Sequence, residues 1–155
     1  MVSAVRRLMR DDPALAQALD VMCAVFAEME GRIDPPSSLA SMSLESLQQT
    51  AAEAEVWAAG DPVLGTVTLT PKEKVLYVGK LAVLDQRQGL ARALMELAEA
   101  RAAALGYEWL ELQSRVELVE VHAVFKRLGF REVMRTTHEG YLQNIGILRT
   151  NSQME

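Results

Sequence analysis

Apolar and polar positions change rhythm several times along the chain, and each change marks an element. Ala4–Met9 reads as a first strand. Asp11-Asp12-Pro13 opens a helix, with an acidic cap and a proline in the first turn. Leu15, Leu19, Met22, Val25, Phe26 and Met29 then recur at helical spacing up to Gly31. Asp34-Pro35-Pro36-Ser37-Ser38 is a loop. A short second helix follows at Ser43–Leu47, with Ser43 and Ser46 as its cap candidates. Glu55–Ala59 and Pro62–Thr70 read as strands, joined by a Gly60-Asp61 hairpin turn. Val75–Leu84 is a third strand of this run.

A polar turn, Asp85 to Arg92, leads into a long amphipathic helix, Gly89–Leu105, stopped by Gly106. Trp109–Gln113 is a strand. Val119–Leu128 is a helix closed by Gly129. Arg131–Thr137 and Ile145–Arg149 are the closing strands. The predicted order is β-α-α-β-β-β-α-β-α-β-β. It implies a mixed sheet with helices on its faces, an α/β architecture of the α+β type. Residues 1–150 form one domain, and 151–155 are a tail.

Composition narrows the class. The chain has 155 residues, half of them apolar and spread throughout, which suits one domain with one core. No run of about 18 apolar residues occurs and the N-terminus lacks a signal-like apolar segment, so a soluble protein with no membrane contact is expected. The lone Cys23 lies in an apolar helical run and reads as a core thiol in a reducing cytoplasm. His122 and His138 are far apart, and no cluster has metal-ligand spacing. A net charge of −5 argues against nucleic acid. Charge is uneven, however. Lys74, Lys80, Arg87 and Arg92 face only Asp85, while Glu28, Glu30 and Asp34 face only Arg32. A basic turn on an acidic protein suits an anionic cofactor and a cationic or neutral co-substrate.

That turn holds the chemistry. A strand feeding a Gly/Ala turn at a helix start presents unpaired N–H groups and the positive end of the helix dipole, which suit a pyrophosphate. Gln86-Arg87-Gln88-Gly89-Leu90-Ala91 has the form Gln/Arg-x-x-Gly-x-Gly/Ala. Some forty residues on, Phe125-Lys126-Arg127-Leu128-Gly129-Phe130 ends a helix on Leu-Gly-Phe. With these two motifs the chain resembles the GNAT superfamily of N-acetyltransferases over essentially its whole length. It looks nearest to small bacterial members with an Asp-Pro-Pro-Ser loop (Asp34–Ser37) and a His-x-Gly-Tyr segment (His138–Tyr141). A nucleotide-triphosphate loop is a poor match, since Gly60–Gly65 is followed by Thr66-Val67.

The resemblance implies a mostly antiparallel central sheet with helices on both faces and a splayed, bulged strand at Val75–Leu84. Backbone groups at Leu81, Ala82 and Val83 would bind the pantetheine arm of acetyl-CoA as a pseudo-strand. The N–H groups of Arg87, Gln88, Gly89, Leu90, Ala91 and Arg92 would cradle the pyrophosphate, with Arg87 and Arg92 adding charge. Phe125 and Lys126 would flank the arm near the thioester. The reaction implied is acetyl transfer to a primary amine of a small molecule by direct attack. The Val83 N–H is the candidate donor to the oxyanion. Glu28, Glu30 and His138 are the candidate bases. Members often pair through the closing strands, which points to a homodimer.

One departure matters. The family's usual acid is a tyrosine five residues before the closing Phe, and this chain has Phe125 there. A common asparagine on the same helix is also missing, with Leu118 or Val121 in its place. The thiolate then leaves unassisted, or Tyr141 or Tyr77 supplies the proton, or the domain only binds acyl-CoA. Modification of a protein N-terminus or lysine is the rival acceptor. Arg115 suits either an acceptor carboxylate or a loop cap. His122, Trp57 and Trp109 read as structural.

Overall fold

In the computed structural model the described residues are 5–27, 43–84, 89–115, 126–127, 131–138 and 141–149, with side chains beyond 112 described only at 126–127. The elements are β1 (Val5–Leu8), α1 (Ala14–Ala27), α2 (Leu44–Glu53), β2 (Glu55–Ala59), β3 (Gly65–Pro71), β4 (Val75–Val83), α3 (Leu90–Leu105), β5 (Trp109–Arg115), β6 (Arg131–His138) and β7 (Tyr141–Arg149). Of the expected last helix, 126–127 are helical and the rest lies outside the described residues.

One seven-stranded sheet runs β1-β2-β3-β4-β5-β7-β6. Only the β4–β5 pairing is parallel, because α3 carries the chain back across the sheet between them. The other pairings are antiparallel. The described core lies on both faces of the sheet. One face packs Val67, Leu69, Leu76, Val78, Leu110 and Leu112 against Leu90, Leu94, Met95, Ala98 and Ala102 of α3. The other packs Leu8, Val56, Ala58 and Ala82 against Leu15, Ala18 and Met22 of α1 and Leu47 of α2. Each fully buried Leu contributes about 2 kcal/mol of apolar transfer.

Local chemistry sets the helix ends. Asp12 Oδ1 accepts from the Ala14 N–H at 2.9 Å and starts α1. Ser43 and Ser46 form a reciprocal capping box on α2, each hydroxyl accepting the other's backbone N–H at 3.1 Å. Gly106, at φ 87°, closes α3, and the Tyr107 N–H reaches the Ala102 carbonyl at 2.8 Å.

Three expectations need correction. The β2–β3 connection is longer than Gly60-Asp61. Ala59 pairs with Gly65, and Gly60–Leu64 form the loop, tied by the Leu64 N–H to the Ala59 carbonyl at 2.9 Å. Pro62 has no N–H to give a ladder, so the strand starts after it. The last strand begins at Tyr141, four residues before Ile145, because β5 and β6 both pair with its polar start. Cys23 is exposed. It shares a helix face with Ala16 and Asp20, both exposed, while Leu15, Ala18 and Met22 take the core side.

Candidate functional site

The site begins where β4 and β5 part. Their parallel register runs from Val75 opposite Trp109 to Val78 opposite Leu112 and stops there. Beyond it β5 continues to Arg115 along β7, and β4 continues to Val83 along β3. The second half of β4 is therefore paired on its β3 edge and has diverged from β5 on the other.

A bulge sits at the parting point. Thr68 pairs with Gly79 and Thr66 with Ala82, so Lys80 and Leu81 together oppose Val67 alone. Lys80 has φ 49°, the only non-glycine positive value among the described residues. The Thr68 hydroxyl, on a nearly fully buried residue, donates to the Gly79 carbonyl at 2.9 Å. A Cβ on Gly79 would stand 2.9 Å from that hydroxyl oxygen, so this close approach requires glycine. The expected bulge region is thus correct, but its centre lies at Lys80, just before Leu81–Val83.

The bulge also sets where backbone groups aim. The Leu84 N–H donates to the Leu64 carbonyl at 2.8 Å, which makes that a hydrogen-bonded pair. By alternation Thr66 and Ala82 form the next such pair, and Gly65 and Val83 a non-bonded one. The Val83 N–H therefore turns away from β3, toward the side from which β5 has diverged. Lys80 is exposed as a residue, but the protein around its ammonium strips enough water to hold its pKa below the usual lysine range.

After β4 the chain enters α3 through Gly89, at φ 68° and ψ 18°. Among the described residues no side chain caps this end, and its first turn has no acidic residue. A Cβ on Gly89 would meet no described atom within 4 Å, so among the described residues nothing fills the approach to the first-turn N–H groups. Leu90 turns its side chain fully into the core, and Ala91 packs against it half-buried, so both offer only backbone here. Arg92 is exposed, with its Nε 3.7 Å from Glu96. Together the diverged half of β4 and the uncapped α3 start fit an extended, amide-bearing arm that ends in phosphate.

The other expected residues fall elsewhere. Glu28, Glu30, Arg87, Gln88 and Phe125 lie outside the described residues. Lys126 is exposed. His138 and Tyr141 are register partners where β6 meets β7. β5 and β7 stand between β6 and β4, and β5 stands between β7 and β4. Trp57 is half-buried and donates from Nε1 to Glu55 at 2.8 Å, a structural role. Lys80 is not among the site residues the sequence suggests. Its signal is present, however: apolar positions shift parity from Leu76 and Val78 to Leu81 and Val83 across Gly79-Lys80. Among the described residues no group of three metal-ligating side chains occurs, and no helix is long and apolar enough to cross a membrane. A recess of about 410 Å³ bounded by Met9, Arg10, Asp11 and Gln48 lies beside edge strand β1 and includes none of the expected residues.

Comparison with known proteins gives the same reading. The model of the acetyltransferase (GNAT) family matches residues 22–130. A probable acetyltransferase from Staphylococcus epidermidis has a similar structure, with a TM-score of 0.78 at 16% identity, covering 96% of this chain and 99% of that one. A GNAT family acetyltransferase from Elizabethkingia anophelis, solved with acetyl-CoA bound, gives 0.68 at 15% identity over 94% and 97%. The ribosomal-protein-S18-alanine N-acetyltransferase of Escherichia coli gives 0.68 at 20% identity over 95% and 93%. Among curated proteins no sequence matches the chain. The β4–β5 splay, the glycine-opened α3 and a family match over most of the chain agree: this protein belongs to the GNAT acetyltransferase family.

Proposed function

We propose that the protein moves the acetyl group of acetyl-CoA to a primary amine of a small molecule, by direct attack of the amine on the thioester. The observation that carries this reading is the parting of β4 from β5 directly before the uncapped start of α3. It aligns a row of backbone groups with a helix N-terminus, and a pantetheine arm with its pyrophosphate asks for that pairing.

Acetyl-CoA supplies the acetyl group as an activated thioester. The protein's part is to hold and orient. The N–H groups from Gly89 to Arg92 face the pyrophosphate, and Arg87, Gln88 and Arg92 lie on the same turn. Leu81, Ala82 and Val83 offer backbone to the arm. The Val83 N–H is aimed to receive charge developing on the carbonyl oxygen. Much of the rate comes from this positioning. Glu28, Glu30 and His138 remain the candidates to take the ammonium proton, and Lys126, exposed like Arg127, is the cation that would flank the arm near the thioester. With Phe125 in place of a tyrosine, the thiolate leaves unassisted or takes its proton from another group such as Tyr141. A thiol pKa near 8.5 makes it a tolerable leaving group. The proposed setting is the cytoplasm, with a homodimer formed through the closing strands.

Calorimetric titration with acetyl-CoA, followed by thioester turnover across an amine panel, tests this reading. Saturable one-to-one binding with turnover on small amines supports it. Binding without turnover on any amine would leave an acyl-CoA-binding module. Turnover only on peptide N-termini or lysines would move the acceptor to proteins. No binding at millimolar acetyl-CoA would remove the reading.

A further inference from the structure

We infer that Lys80 receives an anionic group on the acceptor, so that the preferred substrates are amines that also carry a carboxylate, such as α-amino acids. The inference rests on the acetyltransferase reading above and names its substrate class.

Four observations converge on this residue. Lys80 is the extra residue of the β4 bulge and lies where β4 leaves β5. Its φ of 49° is a conformation that costs a non-glycine residue about 1–2 kcal/mol. A bulge beside a binding site commonly re-aims a side chain, and here the re-aimed side chain is a cation. Its ammonium has lost part of its hydration, yet no described residue pairs with it. Three other cations near the sheet are matched: Lys72 with Glu111 at 3.8 Å and over the Tyr77 ring at 4.3 Å, Arg101 with Glu55 at 2.7 Å, and Arg92 with Glu96 at 3.7 Å. A partly dehydrated cation gains most from a counter-ion that arrives with the ligand.

Position along β4 separates the two anions a ligand pair would bring. The pyrophosphate belongs at the α3 start, beyond the end of β4. Lys80 lies three residues back from Val83, about 10 Å along the strand. That puts its backbone at the end of the parted stretch farther from the pyrophosphate, from which a long lysine side chain can reach toward an anion carried by an amine at the carbonyl that the Val83 N–H receives.

The test compares α-amino acids with their carboxamides as acceptors, for the native protein and for Lys80→Met and Lys80→Arg. Acetyl-CoA affinity of each is measured first. The carboxamide's amine is the weaker base and more often unprotonated, so a preference for the acid reflects recognition. The native protein should favour the acids by about tenfold or more in kcat/KM, the scale of one charge-assisted contact. Lys80→Met should erase the preference through KM for the acids alone, with acetyl-CoA affinity unchanged, and Lys80→Arg should restore part of it. Three results would overturn the inference while leaving the acetyltransferase reading standing: equal use of acids and amides by the native protein, a preference untouched by Lys80→Met, or a Met variant that weakens acetyl-CoA instead. Failure of the native protein to bind acetyl-CoA would overturn both.

Discussion

Arg101 of α3 grips Glu55 of β2 with both arms of its guanidinium. Nε donates to Oε1 at 3.0 Å and one terminal nitrogen to Oε2 at 2.7 Å. Trp57 Nε1 adds a donor to Oε1 at 2.8 Å, and the guanidinium lies 5.9 Å from the Trp57 ring centre. Glu55 is 6% exposed, so this pair joins the long helix to the sheet at the edge of the core. Burial acts to raise the Glu55 pKa. The hydrogen bonds from Arg101 and Trp57, with the charges of Arg101 and Arg7, outweigh it and hold the carboxyl below its usual range. The bond to Glu55 outweighs burial at Arg101 too, and raises its pKa.

The pair makes stability depend on pH in a defined direction. A carboxyl with a lowered folded pKa binds protons more readily when unfolded. Its contribution is present above the unfolded carboxylate value, about 4.3, and is lost as pH falls through the folded value. Glu55→Gln should cost about 1–3 kcal/mol at neutral pH, softened because Arg101 keeps some solvent contact. Urea unfolding of native and variant proteins at neutral and at acid pH checks this. The gap between them should narrow in acid; a constant gap would rule out the charged pair as its source.

Gly89 separates backbone need from ligand need. Its φ of 68° means that Ala and Glu both pay the left-handed penalty, about 1 kcal/mol, with no clash to add. Only Glu places a carboxylate where pyrophosphate would rest. Gly89→Glu should weaken acetyl-CoA by more than about tenfold relative to Gly89→Ala, the scale of one misplaced charge-assisted contact. The two variants should melt within a few degrees of each other. Calorimetric titration beside thermal unfolding reads both quantities.

Phe125 tests leaving-group chemistry. If departure of the thiolate limits turnover, Phe125→Tyr should raise kcat by about tenfold or more, since a positioned acid commonly contributes that much or above. Steady-state turnover at saturating amine is the measurement. An unchanged kcat would assign the limit to another step.

Much of this was legible in the chain, and the exceptions have physical causes. Glu55–Ala59 was bounded correctly because its short apolar run ends in Gly60. The ends of α3 were readable because Gly89 and Gly106 both adopt left-handed conformations that other residues resist. The start of β7 was not, because Gln143 and Asn144 look like loop residues until two neighbouring strands pair with them. Cys23 was misplaced because a helix of mostly apolar residues does not advertise which side is dry. The β4 backbone proposed to face the cofactor was named from motif and resemblance. Lys80 needed the register, since a bulge is a relation between two strands and a single strand's sequence shows only its echo.

That register has a last consequence. If Lys80 alone were excised, Gly79 would follow Thr68, Leu81 would face Val67, and Ala82 and Val83 would keep Thr66 and Gly65 as they do now. Leu81 and Val83 would still face α3, and Ala82 would still face α1. The β3–β4 ladder would run without interruption. The fold therefore carries one residue that its own hydrogen-bond ladder does not require. A single-codon deletion should leave a protein that melts no earlier than the native one and yet has lost the preference for carboxylate-bearing amines.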